Sequence, residues 1–368
     1  MKHPKNNSQL THSRQWSPLK KIKLHVHLPF HTTNQKPQPA VVETGVSESR
    51  RTMLKQMALL PFLGSFSWAC QTGKDEFVEK PVSEVEGKMP IGVLVKGKPP
   101  VSRLIMGTNL FSGNAHARDL IYPGSLMRAY NTEKKILETY LLAEQAGINL
   151  FFLTTILSKN RDMFGSNIQT WKNVSPTKED IYSQVDQVID QGVDYIFIQG
   201  AACDKNVAAG EVDVVLKCLD YIKKQDYPAG LGAHTIQAMQ ACVDAGADPD
   251  FYYKTMHHDK YWSAHPKENR YPYLWSSNIS EDHNKFHDNM WCLFPEETVA
   301  FVQKAQKPVV GFKVLAAGAI PPKDGFQWAF DNGADFIEVG MLDFQIIDDV
   351  NQTILSVEQA KNRTRPWF

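Results

Sequence analysis

The chain predicts a parallel α/β fold closed into a (β/α)8 TIM barrel, and three observations carry that prediction. A four-fold echo recurs as Ala146-Gly147-Ile148-Asn149, Gln191-Gly192-Val193-Asp194, Ala245-Gly246-Ala247-Asp248 and Asn332-Gly333-Ala334-Asp335. Each copy ends a helical pattern with a glycine, the residue that most readily takes the left-handed C′ conformation, and then opens an apolar run. Eight such runs alternate with helical patterns over about 260 residues, the size of one barrel. The echoes precede the even-numbered runs at intervals of 45, 54 and 87 residues, so the third interval holds an insertion. An open doubly wound sheet is the alternative, but no Gly-x-Gly-x-x-Gly turn follows the first run.

The elements follow in order. Strand 1 is Leu104 to Gly107. Its helix runs from Glu133 to Gln145 with Ile136, Leu137, Tyr140 and Leu141 at helical spacing and Thr132 as N-cap. Strands 2 and 3 are Asn149 to Leu153 and Ile168 to Trp171. Ser175 then caps a helix whose first turn holds Pro176, Glu179 and Asp180, as the helix dipole favours. Strand 4, Asp194 to Gln199, leads to a helix from Val212 to Lys224. Strand 5, Ala229 to Ala233, leads to one from Thr235 to Asp244, and strand 6 is Asp250 to Met256. The long segment His257 to Phe294 has little periodicity, and loops of that length are commonly functional or disordered. A helix from Glu296 to Lys304, strand 7 from Val309 to Leu315, a helix from Gly325 to Asn332, strand 8 from Phe336 to Gly340 and a helix from Ile346 to Ala360 complete the barrel.

Residues 1 to 50 are polar and expected to be disordered. The first 55 residues carry ten Lys and Arg against Glu43 and Glu48, which leaves thirty basic and thirty-eight acidic residues beyond them. That balance excludes nucleic acid as a partner of the folded part. Arg50-Arg51 and the apolar run Met57 to Ala69 resemble a twin-arginine export signal spanning residues 51–70, with a linker from 71 to 100 before the barrel of 101–368. Cys70 stands where a bacterial lipoprotein would be lipidated, so a periplasmic or envelope-anchored location is expected, with the export machinery and a membrane anchor as partners. An apolar segment packed on the barrel is the alternative. Cys203, Cys218, Cys242 and Cys292 have neither disulfide-framework nor zinc-knuckle spacing.

In such barrels the chemistry sits at the carboxyl ends of the strands. Those positions are Thr108 and Asn109, Thr154 and Thr155, Lys172, Gln199, His234, Lys254 with His257 and His258, Lys313, and Met341 with Asp343. Lys254, His257, His258, His234 and Lys313 are the candidate catalytic residues, because imidazole moves protons near neutral pH and a desolvated lysine becomes a base or nucleophile. His257 and His258, with Asp259, His265, His283, His287 and Asp288 nearby, also suit a divalent metal, although no named metal motif is reproduced. Asn109, His116, Arg118, Gln199, Tyr261 and Trp262 are the candidate substrate contacts. Arg118 offers a planar fork for a carboxylate or hydroxyls, and Tyr261, Trp262, Trp275 and Trp291 suit sugar faces or a small local core.

Several stretches resemble the aldo/keto reductase superfamily. They are Arg103 to Thr108, Ala143 to Phe152, Asp194 to Gln199, Phe312 to Gly318 and Val339 to Met341. The resemblance implies NADPH-dependent carbonyl reduction by an Asp, a Tyr, a Lys and a His, with Gly318, Gly340 and Met341 at the cofactor. The sequence departs from that set. Thr154 or Thr155 stands where the Asp belongs, no Tyr occurs from Asn149 to Asn173, Gln199 takes the His position, and Lys172 alone matches. Asp343 would repel the 2′-phosphate of NADP. Further words, Asn114 to Tyr122, Tyr261 to Ala264 and Asp343 to Gln345, are similar to an exported bacterial branch of these barrels of unsettled activity.

The expected function is an exported enzyme acting on a small carbonyl or sugar-like compound by lyase, isomerase or epimerase-type proton transfer at the barrel mouth. A reductase with a rebuilt proton donor and a non-catalytic envelope binding protein are the alternatives.

Overall fold

The computed structural model describes residues 84–117, 120–273, 282, 285, 292–361, 363 and 365–368. Eight parallel strands close into a barrel in sequence order: β1 Leu104–Gly107, β2 Leu150–Phe152, β3 Gln169–Val174, β4 Tyr195–Ile198, β5 Ala229–Ala233, β6 Phe251–Thr255, β7 Val309–Phe312 and β8 Phe336–Gly340. A short antiparallel pair, Ile91–Gly92 with Val101–Ser102, precedes it. The helices are α1 Pro123–Tyr130, α2 Glu133–Gln145, α3 Thr155–Lys159, α4 Ser183–Ile189, α5 Gly200–Ala208, α6 Val212–Lys224, α7 Ile236–Asp244, α8 Pro295–Lys304, α9 Pro322–Asp331 and α10 Ile346–Gln359. Among the described residues no helix is long and apolar enough to cross a membrane.

All four echo glycines are left-handed, with φ of 94° at Gly147, 71° at Gly192, 94° at Gly246 and 100° at Gly333. A polar residue of the echo, or in the third copy Asp250 two residues beyond it, explains why the echo marks every second strand. At the entry to β2, β4, β6 and β8 a side-chain oxygen accepts a backbone N–H at or near the start of the preceding odd strand. Asn149 takes Ser102, Asp194 takes Thr170, Asp250 takes Ala229 and Asp335 takes Val309, at 2.7 to 2.9 Å. Asp335 also pairs with Arg363 and Arg365 at 3.0 and 3.3 Å, and Arg103 donates to its backbone carbonyl. The end of the barrel opposite the carboxyl termini is thereby tied shut.

Strand alternation separates two cores. Leu104, Met106, Ile196, Leu231, Ile337 and Val339 face the helices, while Ile105, Leu150, Trp171, Tyr195, Phe197, Phe251, Tyr253 and Phe312 fill the barrel. So many rings fit only because β5 is nearly bare. A Cβ on Gly230 would stand 2.4 Å from the Phe251 ring and 2.6 Å from Phe197. Truncating a ring such as Phe251 to alanine would cost about 3–5 kcal/mol.

Three local expectations differ. Ser175 caps no helix: α4 begins at Ser183, whose backbone N–H and hydroxyl both donate to the Asp180 carboxylate. α1 and α5 lie where the sequence pattern gave no helix, since Gly200-Ala201-Ala202 lacks an apolar stripe and α1 buries no side chain. β7 ends at Phe312 rather than Leu315, because Lys313 leaves extended geometry.

Candidate active site

Two joined cavities open at the carboxyl ends of the strands, of about 770 and 280 Å³. Asn109, His116, Phe312, Lys313 and Glu338 belong to both walls. The larger is floored by Phe152, Phe197, Tyr253 and Phe312 and edged by Asn109, Asn173, Gln199, His234 and Arg128. The smaller lies over β7, β8 and β1 beside Val314, Leu315, Ala317, Gly318 and Gly340.

Lys313 reaches this junction through its backbone. Strict alternation after Phe312 would send its side chain among the helices. Its φ of 56° breaks the alternation and turns it toward the cavities. His116, in the loop after β1, is left-handed as well, with φ of 48°. Such geometry costs a residue with a Cβ about 1–2 kcal/mol, so two strained residues meeting one another is informative. They meet closely, Lys313 Nζ standing 2.7 Å from His116 Nε2.

The electrostatics follow from burial. Desolvation draws Lys313 down to about 7, with Glu338 opposing the shift. Desolvation, then Lys313, then His234 lower His116 to about 3, so its imidazole is neutral and its Nε2 accepts from the lysine ammonium. Glu338, on the inward face of β8, is raised by desolvation to about 7, opposed by Tyr253 and Lys313. The Tyr253 hydroxyl donates to Glu338, and its ring stacks on Phe312 at 4.0 Å.

Across the larger cavity stands a second acid–base unit. Asp204, fully buried on α5, accepts from His234 Nδ1 at 2.8 Å and from the His234 and Thr235 backbone N–H groups at 2.9 and 3.0 Å. This holds Nδ1–H toward the carboxylate and leaves Nε2 as the other ring nitrogen. Burial lowers the His234 pKa, with Asp204 opposing.

Of the residues expected from sequence, the cavities bring together Asn109, His116, Gln199, His234, Lys313, Gly318 and Gly340. Lys254 is placed elsewhere. It follows inward Tyr253 and points among the helices, where Nζ donates to the His234 carbonyl and to Thr255 O and Oγ1 at 2.9 and 2.7 Å. His257 contacts the His258 carbonyl through Nδ1, and His258 Nδ1 accepts from the Lys260 N–H. Neither lines a cavity. Tyr261 packs on Ala316 and Ile320, Trp262 is exposed, and Met341 is in the helix-side core. Among the described residues no three His, Cys, Asp or Glu side chains gather to hold a metal ion. Arg118, His283, His287, Asp288, Trp275, Trp291, the export segment and Cys70 lie outside the described residues.

Lys172 also turns outward, to Gln191, and Thr154 Oγ1 caps α3 by accepting the Leu157 N–H. Neither takes the place that the aldo/keto reductase set would give it. Glu338, Tyr253 and Asp204 were missed by sequence reasoning. A readable signal existed for Glu338, a lone carboxylate between Ile337 and Val339 at the same parity as inward Phe336.

These features define a closed parallel (β/α)8 barrel with a polar mouth. No family model matches the chain, and no curated protein matches it. Solved structures do. A putative aldo-keto reductase from Pseudomonas aeruginosa aligns at 14% identity and TM-score 0.50, covering 75% of this chain and 100% of its own. A second structure so described from that organism gives the same identity and score, over 74% and 98%. An aldo-keto reductase from Bacillus halodurans, holo form, aligns at 11% and TM-score 0.44 over 76% and 98%. At 14% identity the two Pseudomonas aeruginosa structures support the fold alone.

Proposed function

We propose that this barrel is an oxidoreductase that interconverts a carbonyl and an alcohol on a small polyhydroxylated compound, with Lys313 as proton donor to the carbonyl oxygen. The contact between Lys313 and His116 at the junction of the two cavities carries this reading. Two cavities that share Lys313, His116 and Glu338 in their walls suit two reactants. A donor near pH 7 is matched to proton transfer at neutral pH. Asn109, Asn173 and Gln199 offer donors and acceptors to hydroxyls, and the Tyr253 and Phe312 rings offer a flat apolar face.

A nicotinamide dinucleotide is the hydride source that the fold implies. Gly318, with φ of 84° and nothing within 4 Å of where a Cβ would stand, leaves room beside the Ala317 backbone. Asp343 lines neither cavity, and its charge is paired with Lys135 at 3.0 Å and hydrogen-bonded by Tyr130 at 2.6 Å, so it does not choose between the dinucleotide with and without a 2′-phosphate. Ala317, Gly318 and Gly340 are the residues that would hold the dinucleotide. When bound, it supplies the hydride. The chain's part is to seat the carbonyl on the aromatic floor and aim its oxygen at Lys313, whose ammonium His116 Nε2 holds in place by accepting from it.

The decisive assay follows NADH and NADPH oxidation with a panel of aldoses and ketoses. Turnover with one of the two nucleotides, abolished in Lys313→Met, is expected; no turnover with either nucleotide sinks the proposal. The His234–Asp204 pair favours a second reading, proton abstraction beside a carbonyl in an isomerase or lyase, which predicts α-deuterium wash-in without nucleotide. Export is a further proposal, checked by fractionating cells that express the Arg50→Lys, Arg51→Lys double variant beside the unaltered chain.

A further inference from the structure

The side chain of Lys313 is presented to two cavities by a backbone that ordinary lysines do not adopt, with an imidazole acceptor 2.7 Å from Nζ. Proton donation alone does not require that closeness to both spaces. We infer that Lys313 is also a nucleophile, forming a reversible imine with small hydroxyaldehydes or hydroxyketones that enter the larger cavity.

The step balances within the site. Nζ attacks the carbonyl carbon, forming the C–N bond and moving the π electrons onto oxygen. Both Nζ protons pass in turn to that oxygen by way of His116 Nε2: the first gives the neutral carbinolamine, and the second lets its hydroxyl leave as water as the C=N bond forms. One amine and one carbonyl give one imine and one water, with no change of oxidation state. Such chemistry needs an unprotonated amine, and burial supplies it. The ionisable groups that line the larger cavity with Lys313 are His116 from the loop after β1, Arg128 from α1, His234 from the end of β5, Tyr253 from β6 and Glu338 from β8. Of these, Glu338 favours the ammonium and burial the amine, and burial prevails. At pH 7 the neutral fraction is then on the order of a thousandfold above that of an ordinary lysine.

This inference rests on the carbonyl-binding part of the proposed function but not on hydride transfer, and its test keeps the two apart. The full chain is incubated with glycolaldehyde and sodium cyanoborohydride, without nucleotide, and mapped by peptide mass spectrometry. The expected result is a reduced adduct at Lys313 forming about a hundredfold faster than at surface lysines, with a rate that rises through pH 7. Lys313→Arg is expected to abolish it, and His116→Gln to slow it about tenfold without moving it. Adducts spread over surface lysines with none enriched at Lys313 would overturn the inference even if the arginine variant fails to fold. Trapping without turnover of either nucleotide leaves the imine standing and removes the reductase; turnover without trapping does the reverse.

Discussion

Lys254 and Lys313 sit at the upper ends of adjacent strands, β6 and β7, and both are drawn below the ordinary lysine range by burial. Their surroundings make them different objects. Lys254 continues the strand alternation, points among the helices and donates to two carbonyls and a threonine hydroxyl. Lys313 leaves the alternation through a left-handed residue and faces His116 at the cavity junction. A buried lysine whose donors end on backbone oxygens is part of the frame, whereas one aimed at a cavity and an imidazole is equipped for chemistry.

The largest effect expected from this contrast is on turnover. Lys313→Met should lower kcat by roughly 10²–10⁴-fold, the usual contribution of a positioned proton donor, with little change in melting temperature. The pH dependence carries a definite sign. As a donor Lys313 works as the ammonium, so reduction should fall as pH rises through about 7, while imine trapping, which needs the amine, should rise over the same interval. A reduction rate flat from pH 6 to 8 in steady-state assays would detach Lys313 from the chemistry.

Lys254→Met should reverse the pattern. Removing the ammonium takes a donor from the Thr255 carbonyl and leaves the His234 carbonyl with the Thr255 hydroxyl as its side-chain donor, for a loss of about 1–3 kcal/mol of stability. Urea unfolding should show the lower midpoint, and the folded fraction should keep most of its kcat. Equal stability with lost turnover would mean that the two lysines had been assigned the wrong way round.

The same pair marks how far the sequence could be read. The barrel was legible because each echo glycine must be left-handed and each strand must alternate, and both follow from local chemistry at Gly147, Gly192, Gly246 and Gly333. Gln199, His234, Lys313 and His116 were legible as polar residues at strand ends or in the first loop. Lys254 was misplaced because its residue type and strand position signalled function while its parity pointed to the helices. Glu338 and Tyr253 were missed because they lie one layer below the strand ends, within apolar runs. The turn that aims Lys313 was not legible at all, since nothing in Phe312-Lys313-Val314 announces a positive φ.

The opposite wall offers a smaller effect. Asp204→Asn keeps the shape beside His234 but lets the amide present either atom to Nδ1, so the imidazole tautomer is no longer fixed. Loss of such an orienting partner is commonly worth about 10–100-fold. Asp204 is a positioning residue, and the readout specific to that role is the pH profile: in the reductase it should keep its alkaline limb near 7, because that limb belongs to Lys313. In the isomerase reading the α-proton exchange should fall instead, and the limb should move with His234.

The smallest effect probes the turn itself. Beyond Lys313 the chain returns to negative φ, −96° at Leu315, and is left-handed again at Ala316, Ala317 and Gly318, with φ of 44°, 55° and 84°. Ala316 is buried, whereas Ala317 is exposed, so Ala317→Gly changes backbone preference with little change in packing. Relief of the left-handed penalty is about 1–2 kcal/mol, offset by about 0.4–1 kcal/mol of added freedom in the unfolded chain. The net gain, between about 0 and 1.6 kcal/mol, corresponds to a rise in melting temperature of at most roughly 6 °C. A fall would show that Ala317 is not held left-handed, and the account of how Lys313 is turned toward His116 would lose its support. A rise with slower imine trapping would show that the stiff alanine pair, rather than the turn alone, keeps Nζ at His116.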